Sequence, residues 1–165
     1  MESFSELLNK EFYGNTIGNW AISLVLVFGA VILARMIYWF LNKVVIKATQ
    51  KTSSKIDDII LSSAKEPLVF VVALLASWYG LERLTFSAET DNLFNGVYYF
   101  LTTIGVTWIF ARVIDSLAEN YLVPLAHKTE SDFDDQLLPI VQKGTRSVIW
   151  ILGIIVALNN AGYNV

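Results

Sequence analysis

Four long stretches without charged residues constrain the fold of this chain more than any other feature. Their ranges are 21–34, 67–81, 92–111 and 147–165, and the first continues to Asn42 if Arg35 is tolerated. A helix needs roughly 20 apolar residues, at about 1.5 Å each, to cross the hydrocarbon of a bilayer. Three stretches reach that length, and the one at 67–81 is short. With 55% hydrophobic residues, the chain is predicted to be an all-α membrane protein with four transmembrane helices.

The distribution of basic residues predicts the orientation. Lysines and arginines follow the first stretch and separate the third from the fourth: Lys43, Lys47, Lys51, Lys55, Lys65, Lys128, Lys143 and Arg146. The N-terminal segment has only Lys10, and the segment 82–91 has only Arg83. Short loops rich in Lys and Arg stay cytoplasmic, so both ends of the chain should face outward.

Residues 1–19 are interpreted as an outward-facing segment at the membrane interface. They lack the basic start and the small-residue cleavage site of a signal peptide. Ser3 and Glu6 have the spacing of a capping box and precede Leu7, Leu8 and Phe12, which predicts a short amphipathic helix. A frayed polar leader is the alternative.

The chain also contains an internal repeat. A shift of 77 positions superimposes identical residues without a gap, among them Ala34 on Ala111, Arg35 on Arg112, Lys51 on Lys128, Thr52 on Thr129, Ser54 on Ser131, Asp57 on Asp134, Asp58 on Asp135, Leu61 on Leu138, Val71 on Val148 and Leu75 on Leu152. Each unit crosses the membrane twice, so the two copies have the same orientation, unlike the inverted repeats of many transporters. We therefore predict two parallel-repeat helical hairpins, a peripheral pair at 20–84 and a core pair at 97–165, joined by an outward-facing loop at 85–96.

Each hairpin carries an aspartate pair before an apolar run, and two interpretations compete. Paired carboxylates could hold Mg²⁺ for lipid chemistry, but no further acid follows one turn later to complete such a site. The local interpretation is that these residues start helices at a cytoplasmic turn, with serine as the cap and aspartates at the positive end of the helix dipole. The helix-capping residues predicted in this way are Ser54, Asp57, Asp58, Ser131, Asp134 and Asp135.

The repeat places Pro67 on Gly144, about ten residues after each acidic pair. Proline removes a backbone donor and clashes with the preceding turn, and glycine lowers helix propensity. We predict a kink at both positions, where a short cytoplasmic-side helix joins the spanning one. A simple helix start at Pro67 is the alternative.

Arg35 and Arg112 each lie inside an apolar stretch. Both are toward the predicted cytoplasmic half, so their side chains can reach the lipid phosphates of the inner leaflet. They are candidate lipid contacts, with plain interfacial anchoring as the alternative. Asp115, three residues after Arg112, is a possible ion-pair partner on the same helix face.

Residues for catalysis or metal binding do not emerge from the sequence. The chain has no cysteine, one histidine (His127) and no phosphate-binding glycine pattern. A net charge of −3, with basic residues spread along the chain, gives no reason to expect nucleic acid. The sequence therefore predicts no catalytic residues, no metal site, no cofactor and no enzyme activity.

Several segments in order resemble a known family. "LARMIYWFLNKVV" and "FARVIDSLAENYLVP" resemble the first core helix of MscS-like small-conductance mechanosensitive channels. "KTESDFDDQLLPIVQKGTRSVIWILGIIVALNNAGYNV" resembles the second core helix with its lead-in, including the Leu-x-x-x-Gly ending at Leu158 to Gly162. The resemblance covers most of the chain from about Ala21.

The resemblance implies a tension-gated homo-oligomer, heptameric in the family, that releases ions and small solutes on osmotic downshock. Its setting would be the bacterial inner membrane, with a periplasmic N-terminus and with membrane lipids as partners. The core pair would form the sensor, Arg112 would match an arginine of the first core helix, and Arg35 would be its duplicate. The peripheral pair would be an addition of the five-helix type.

The pore-lining helix and the cytoplasmic β-domain of the family would follow this region, and neither lies in this chain. We therefore expect a channel region that ends before the pore helix and holds the sensor without pore-lining residues. The alternatives are a non-channel structural or regulatory four-helix membrane protein and a Mg²⁺-dependent lipid enzyme that uses the aspartate pairs.

Overall fold

A computed structural model describes residues 3–48, 55–126 and 132–164. Its elements in chain order are α1 Phe4–Leu8, β1 Glu11–Phe12, β2 Asn15–Thr16, α2 Ile17–Ala48, α3 Lys55–Leu81, α4 Ala88–Leu117, a π-helical turn Ala118–Leu122, α5 Val123–Ala126 and α6 Asp132–Asn160.

Four of these helices are long and apolar enough to cross a membrane, which confirms the predicted all-α membrane fold. The candidate spans are Ile17–Lys43, Asp58–Leu81, Ala88–Leu122 and Leu137–Asn160. Helices suit this environment because every backbone polar group can be satisfied within the segment. We refer to the end of the bundle that carries the N-terminal segment as the outer end, and to the opposite end as the inner end.

The spanning helices pack in sequence order, α2 on α3, α3 on α4, and α4 on α6. The two acidic pairs of the repeat, Asp57–Asp58 and Asp134–Asp135, lie in α3 and α6, the second spanning helix of each hairpin. The prediction of two hairpins in parallel repeat is therefore confirmed. Little of the spanning surface is covered within the chain, since only 6% of the α6 span is buried.

Small residues form the contacts between the helices, as expected in lipid, where close packing replaces the hydrophobic effect. Ala34 and Ala111, the alanines of the repeated Ala-Arg pair, are 5% and 3% exposed. Ala30 and Thr107, one turn earlier and also 77 residues apart, are buried too. The repeated pair thus consists of a buried alanine followed by an exposed arginine.

The N-terminal segment folds back on the outer end of the bundle. Ser3 and Glu6 form the predicted capping box at the start of α1. A two-residue turn then joins β1 to β2, in which Tyr13 and Gly14 have φ of 49° and 74°. Positive φ at both central residues matches the right-handed twist of a hairpin. The sequence prediction missed this hairpin, although Gly14 is a typical turn residue.

Asn15, in β2, fastens that segment to the connection between α3 and α4. Its side chain is 3% exposed. Its amide nitrogen donates to the Thr85 carbonyl at 2.7 Å, and its amide oxygen accepts from the Thr85 N–H at 2.7 Å. The Trp20 indole donates to the Phe12 carbonyl at 3.0 Å, which fixes the hairpin to the start of α2.

The connection between the hairpins is shorter than the predicted loop at 85–96. The helix α4 already begins at Ala88, because the Ser87 side chain accepts from the Thr90 N–H and caps it. Glu89 and Asp91 lie in the first turn, where carboxylates favour the positive end of the helix dipole. Residues 88–96 of the predicted loop therefore belong to α4.

The inner end of α4 departs from the repeat. Its α-helical geometry gives way to a π-helical turn, in which the Val123 N–H donates to the Ala118 carbonyl five residues back. Pro124 follows this turn and lacks a backbone donor. The equivalent part of the first hairpin is continuous α-helix up to Ala48.

Candidate functional site

Polar side chains meet on both sides of α4 near its inner end. We refer to this cluster as the charged seam, which consists of Ser63, Glu66, Arg112, Asp115, Ser116 and Arg146. Such groups inside transmembrane spans face partners or water and commonly mark functional sites.

One half of the charged seam joins the two hairpins. Arg112 Nη2 lies 3.0 Å from Glu66 Oε2 on α3, and both side chains are about half exposed. The hydroxyls of Ser63 and Ser116 are hydrogen-bonded one turn away. The suggested partner of Arg112 was Asp115 on its own helix, but the ion pair crosses to α3 instead.

The other half of the charged seam lies within the second hairpin. Asp115 Oδ2 is 2.7 Å from Arg146 Nη2 on α6, and the aspartate side chain is 19% exposed. Asp115 is therefore oriented toward α6 and Arg112 toward α3, so the two side chains form ion pairs on opposite sides of α4. The sequence analysis missed Glu66 and Arg146 as partners, because spacing along one helix cannot identify contacts between helices.

Arg35 occupies the equivalent position in the first hairpin but has a different environment. It lines a shallow cavity of about 400 Å³ with Ile32, Met36 and Trp39, and its side chain is exposed. No ion pair is recorded for it among the residues that the structure describes. The difference agrees with the packing order, because no spanning helix among the described residues precedes α2 to supply a carboxylate.

The acidic pairs lie near the inner ends of α3 and α6. Asp57 and Asp58 are the third and fourth residues of Lys55–Leu81, and Asp134 and Asp135 are the third and fourth residues of Asp132–Asn160, both counted within the described residues. The serines proposed as caps, Ser54 and Ser131, lie outside the described residues. Capping by these serines therefore stays a prediction.

The two kink candidates lie inside long helices. Pro67 is buried in α3, twelve residues after its start at Lys55, so a helix start at Pro67 is wrong. In the turn before it, the hydroxyls of Ser62 and Ser63 donate to the Ile59 carbonyl at 3.0 and 2.7 Å. Such back-bonding often bends helices.

Gly144, the repeat equivalent of Pro67, lies in α6 with open space where a Cβ would be. The proline of α6 is instead Pro139, five residues before Gly144, a helix-interior residue that the sequence analysis did not single out. Bending at Pro67 and Gly144 stays a prediction.

A second cavity, of about 400 Å³, lies between the π-helical turn and the start of α6. Its wall is mostly apolar and includes Leu117, Tyr121, Leu138 and Val141. Gln142 also lines it, and its buried Nε2 has no hydrogen-bond partner among the described residues. The π-helical turn forms one side of this cavity, and π-bulges are frequent at functional sites.

The two ion pairs are expected to differ in strength. In double-mutant cycles with Glu66→Gln and Arg112→Gln, we expect a coupling energy of about 0.6 kcal/mol, the average for polar contacts between transmembrane helices. The Asp115→Asn and Arg146→Gln cycle should give a larger value, because Asp115 is better shielded from solvent. Thermal unfolding in nanodiscs measures both cycles, and equal couplings would contradict the expected order.

The described residues thus define a membrane-embedded row of two repeated helical hairpins, with the charged seam on both sides of α4. Within residues 3–48, 55–126 and 132–164, no group of three His, Cys, Asp or Glu side chains comes together as a metal site would require.

Two curated relatives match nearly the whole chain, and both are mechanosensitive channels of Methanocaldococcus jannaschii. The small-conductance mechanosensitive channel MscMJ is 28% identical over 158 residues, which are 96% of this chain and 45% of MscMJ. The large-conductance mechanosensitive channel MscMJLR is 21% identical over 164 residues, which are 99% of this chain and 45% of that protein. The chain spans about half the length of these relatives.

These relatives confirm the resemblance to the MscS-like mechanosensitive channels. They favour a channel function over the lipid-enzyme and non-channel alternatives, since both are named as channels. No family model matches the chain, and no solved structure does.

Proposed function

We propose that this chain is the tension-sensing transmembrane region of a mechanosensitive channel that releases ions and small solutes on osmotic downshock. The observation that carries the proposal is the similarity to MscMJ over 96% of the chain, combined with four spanning helices. The pore would be formed by sequence outside this region. Self-association into a homo-oligomer, heptameric as the family resemblance implies, is part of the proposal.

The proposed orientation places the N-terminus outside and the charged seam in the cytoplasmic half of the bilayer. The excess of Lys and Arg around the turns of the two hairpins supports it. The periplasmic N-terminus and the bacterial inner membrane rest on the family resemblance together with this charge bias.

The proposed mechanism uses the loose packing of the row of helices. Tension favours states with a larger area in the membrane plane, so it selects arrangements in which helices tilt or separate. Near the inner end, the polar contacts between the hairpins are the half-exposed pair Glu66 with Arg112 and the part-buried hydroxyls of Ser63 and Ser116. Such contacts are exchanged for water or lipid headgroups at small cost, so this end is where the hairpins would separate.

Arg35 is the stronger candidate for a lipid contact. In the repeat, Lys143 of α6 is equivalent to Glu66 of α3, and Arg35 of α2 is equivalent to Arg112 of α4. If α6 of a second copy packed on α2 in the way that α3 packs on α4, Lys143 would therefore lie next to Arg35. Like charges at that position disfavour another helix of this kind. An anionic lipid phosphate at the inner surface is the complementary partner, and Arg112, already paired, would contact lipid less.

To test the proposal, the matched segment of MscMJ is replaced by this chain, and single-channel currents of the exchange protein are recorded in liposome patches under suction. We expect tension-activated openings, with a shifted threshold in Arg35→Gln and a normal threshold in Arg35→Lys, which keeps the charge. Arg35→Gln should also retain less phospholipid after purification, whereas Arg112→Gln should retain a normal amount.

A folded exchange protein that never opens under tension would overturn the proposed function. If Arg35→Gln leaves the tension threshold, the retained phospholipid and the thermal stability unchanged, Arg35 has no role in lipid contact, whereas the proposed channel function is unaffected.

A further inference from the structure

A third cavity lies at the outer end, between the last turns of α3 and the first turns of α4. Its volume is about 260 Å³. The aliphatic part of its wall comes from Leu74, Leu81, Val97 and Leu101. It therefore lies between the two hairpins, at the opposite end of the contact that contains the charged seam.

Aromatic rings form much of the remaining wall. Trp78 and Tyr98 stack with their centroids 4.3 Å apart, and Phe86 and Phe94 lie 5.1 Å apart. All four rings line the cavity. Ring faces attract cations, most strongly where water is partly excluded.

Carboxylates provide the charge at the mouth of the cavity. Glu82, just after α3, and Asp91, in the first turn of α4, both line it and are both exposed. Neither forms an ion pair recorded for the described residues. The nearby cation, Arg83, lies over the Tyr79 ring at 5.8 Å and does not line the cavity.

We propose that this outer cavity binds a single-chain cationic amphiphile, with the alkyl chain among the leucines and the ammonium group between Glu82 and Asp91. At roughly 30 Å³ per water-sized group, the cavity holds about nine heavy atoms. That capacity matches one short alkyl chain. The acidic mouth selects a cation over an alcohol or a fatty acid of the same length.

Equilibrium dialysis of labelled octylamine tests the proposal, with the protein in phosphatidylcholine nanodiscs and protein-free nanodiscs as the blank. We expect saturable binding that weakens about fivefold or more in the Glu82→Gln/Asp91→Asn double variant. The matched control is Glu89→Gln, which removes a carboxylate in the same first turn of α4 that does not line the cavity. It should bind octylamine as the unchanged protein does.

Labelled octanol separates the contribution of the chain from that of the charge. It should bind more weakly than octylamine and equally to the unchanged protein and to the double variant. Leu101→Trp, which fills the cavity, should remove binding of both compounds, and the carboxylate variants decide the matter if that variant does not fold.

Octylamine binding that is unaffected by the double variant, or weakened equally by Glu89→Gln, would overturn the proposal. Displacement of octylamine by phosphatidylethanolamine in the nanodisc would overturn the single-chain assignment. None of these readouts uses channel activity, so the result is independent of the proposed function.

Discussion

Gly153→Ala is expected to force α4 and α6 apart and to lower the free energy of unfolding by about 1–3 kcal/mol, the range for overpacking. A Cβ at Gly153 would lie 2.8 Å from Thr107 Cβ and closer still to Thr107 Oγ1 and Cγ2. Thr107 cannot rotate away freely, because it is buried and its hydroxyl donates to the Thr103 carbonyl at 2.9 Å. Thermal unfolding in nanodiscs measures the loss.

Gly144→Ala is the matched control, since it makes the same change nine residues earlier in the same helix. No atom lies within 4 Å of a Cβ there, so alanine should stabilise α6 by up to about 1 kcal/mol through helix propensity. The Gly153→Ala/Thr107→Gly double variant should recover part of the loss by clearing the space. Equal effects at the two glycines would show that close packing at Gly153 is not important for stability.

Asn15→Ala is expected to release the N-terminal segment from the outer end of the bundle, at a cost of about 1–3 kcal/mol. The variant loses both hydrogen bonds that the buried amide makes with the Thr85 backbone. Asn15→Asp keeps the shape and the bond from the Thr85 N–H, but it sets a carboxylate oxygen against the Thr85 carbonyl and should be destabilised as well.

Hydrogen exchange of the Ile17 amide reports this release, because that amide donates to the Lys10 carbonyl at 2.9 Å across the hairpin. It should exchange faster in both Asn15 variants. Asn9→Asp, an isosteric change at an exposed residue of the same segment, should leave the rate unchanged. If the Asn15 variants exchange as slowly as the unchanged protein, the segment is held by other contacts.

Helix number and the repeat could be predicted from the sequence because they depend on composition and spacing along the chain. The length of an uncharged stretch identifies a transmembrane helix regardless of which helices pack against it. The 77-residue repeat can be found by comparing the sequence with itself. The end of α6 could also be predicted, because Asn159 and Asn160 are followed by Gly162. Gly162 has a φ of 89°, a conformation that ends a helix. The Gly162 N–H donates to the Asn159 carbonyl, and the Tyr163 N–H donates to the Leu158 carbonyl.

Partners between helices were not predictable, since equivalent residues of a repeat need not have equivalent neighbours. Arg112 is paired with Glu66 because α3 precedes α4 in the row, whereas Arg35 lies on the first spanning helix and has no such neighbour in this chain. The Tyr13–Gly14 turn was missed for another reason: four strand residues are too few to give an alternating pattern.

The two hairpins are joined more strongly at the outer end of the bundle than at the inner end. At the outer end, the six residues 82–87 connect them covalently, and Asn15 binds that connection. At the inner end, only side-chain contacts such as Glu66 with Arg112 join α3 to α4 among the described residues. A lateral pull should therefore open an angle between the hairpins with its vertex at the outer surface, so the inner leaflet gains area first. Lipids that crowd the inner leaflet and lipids that crowd the outer one should then act on this region with different strength.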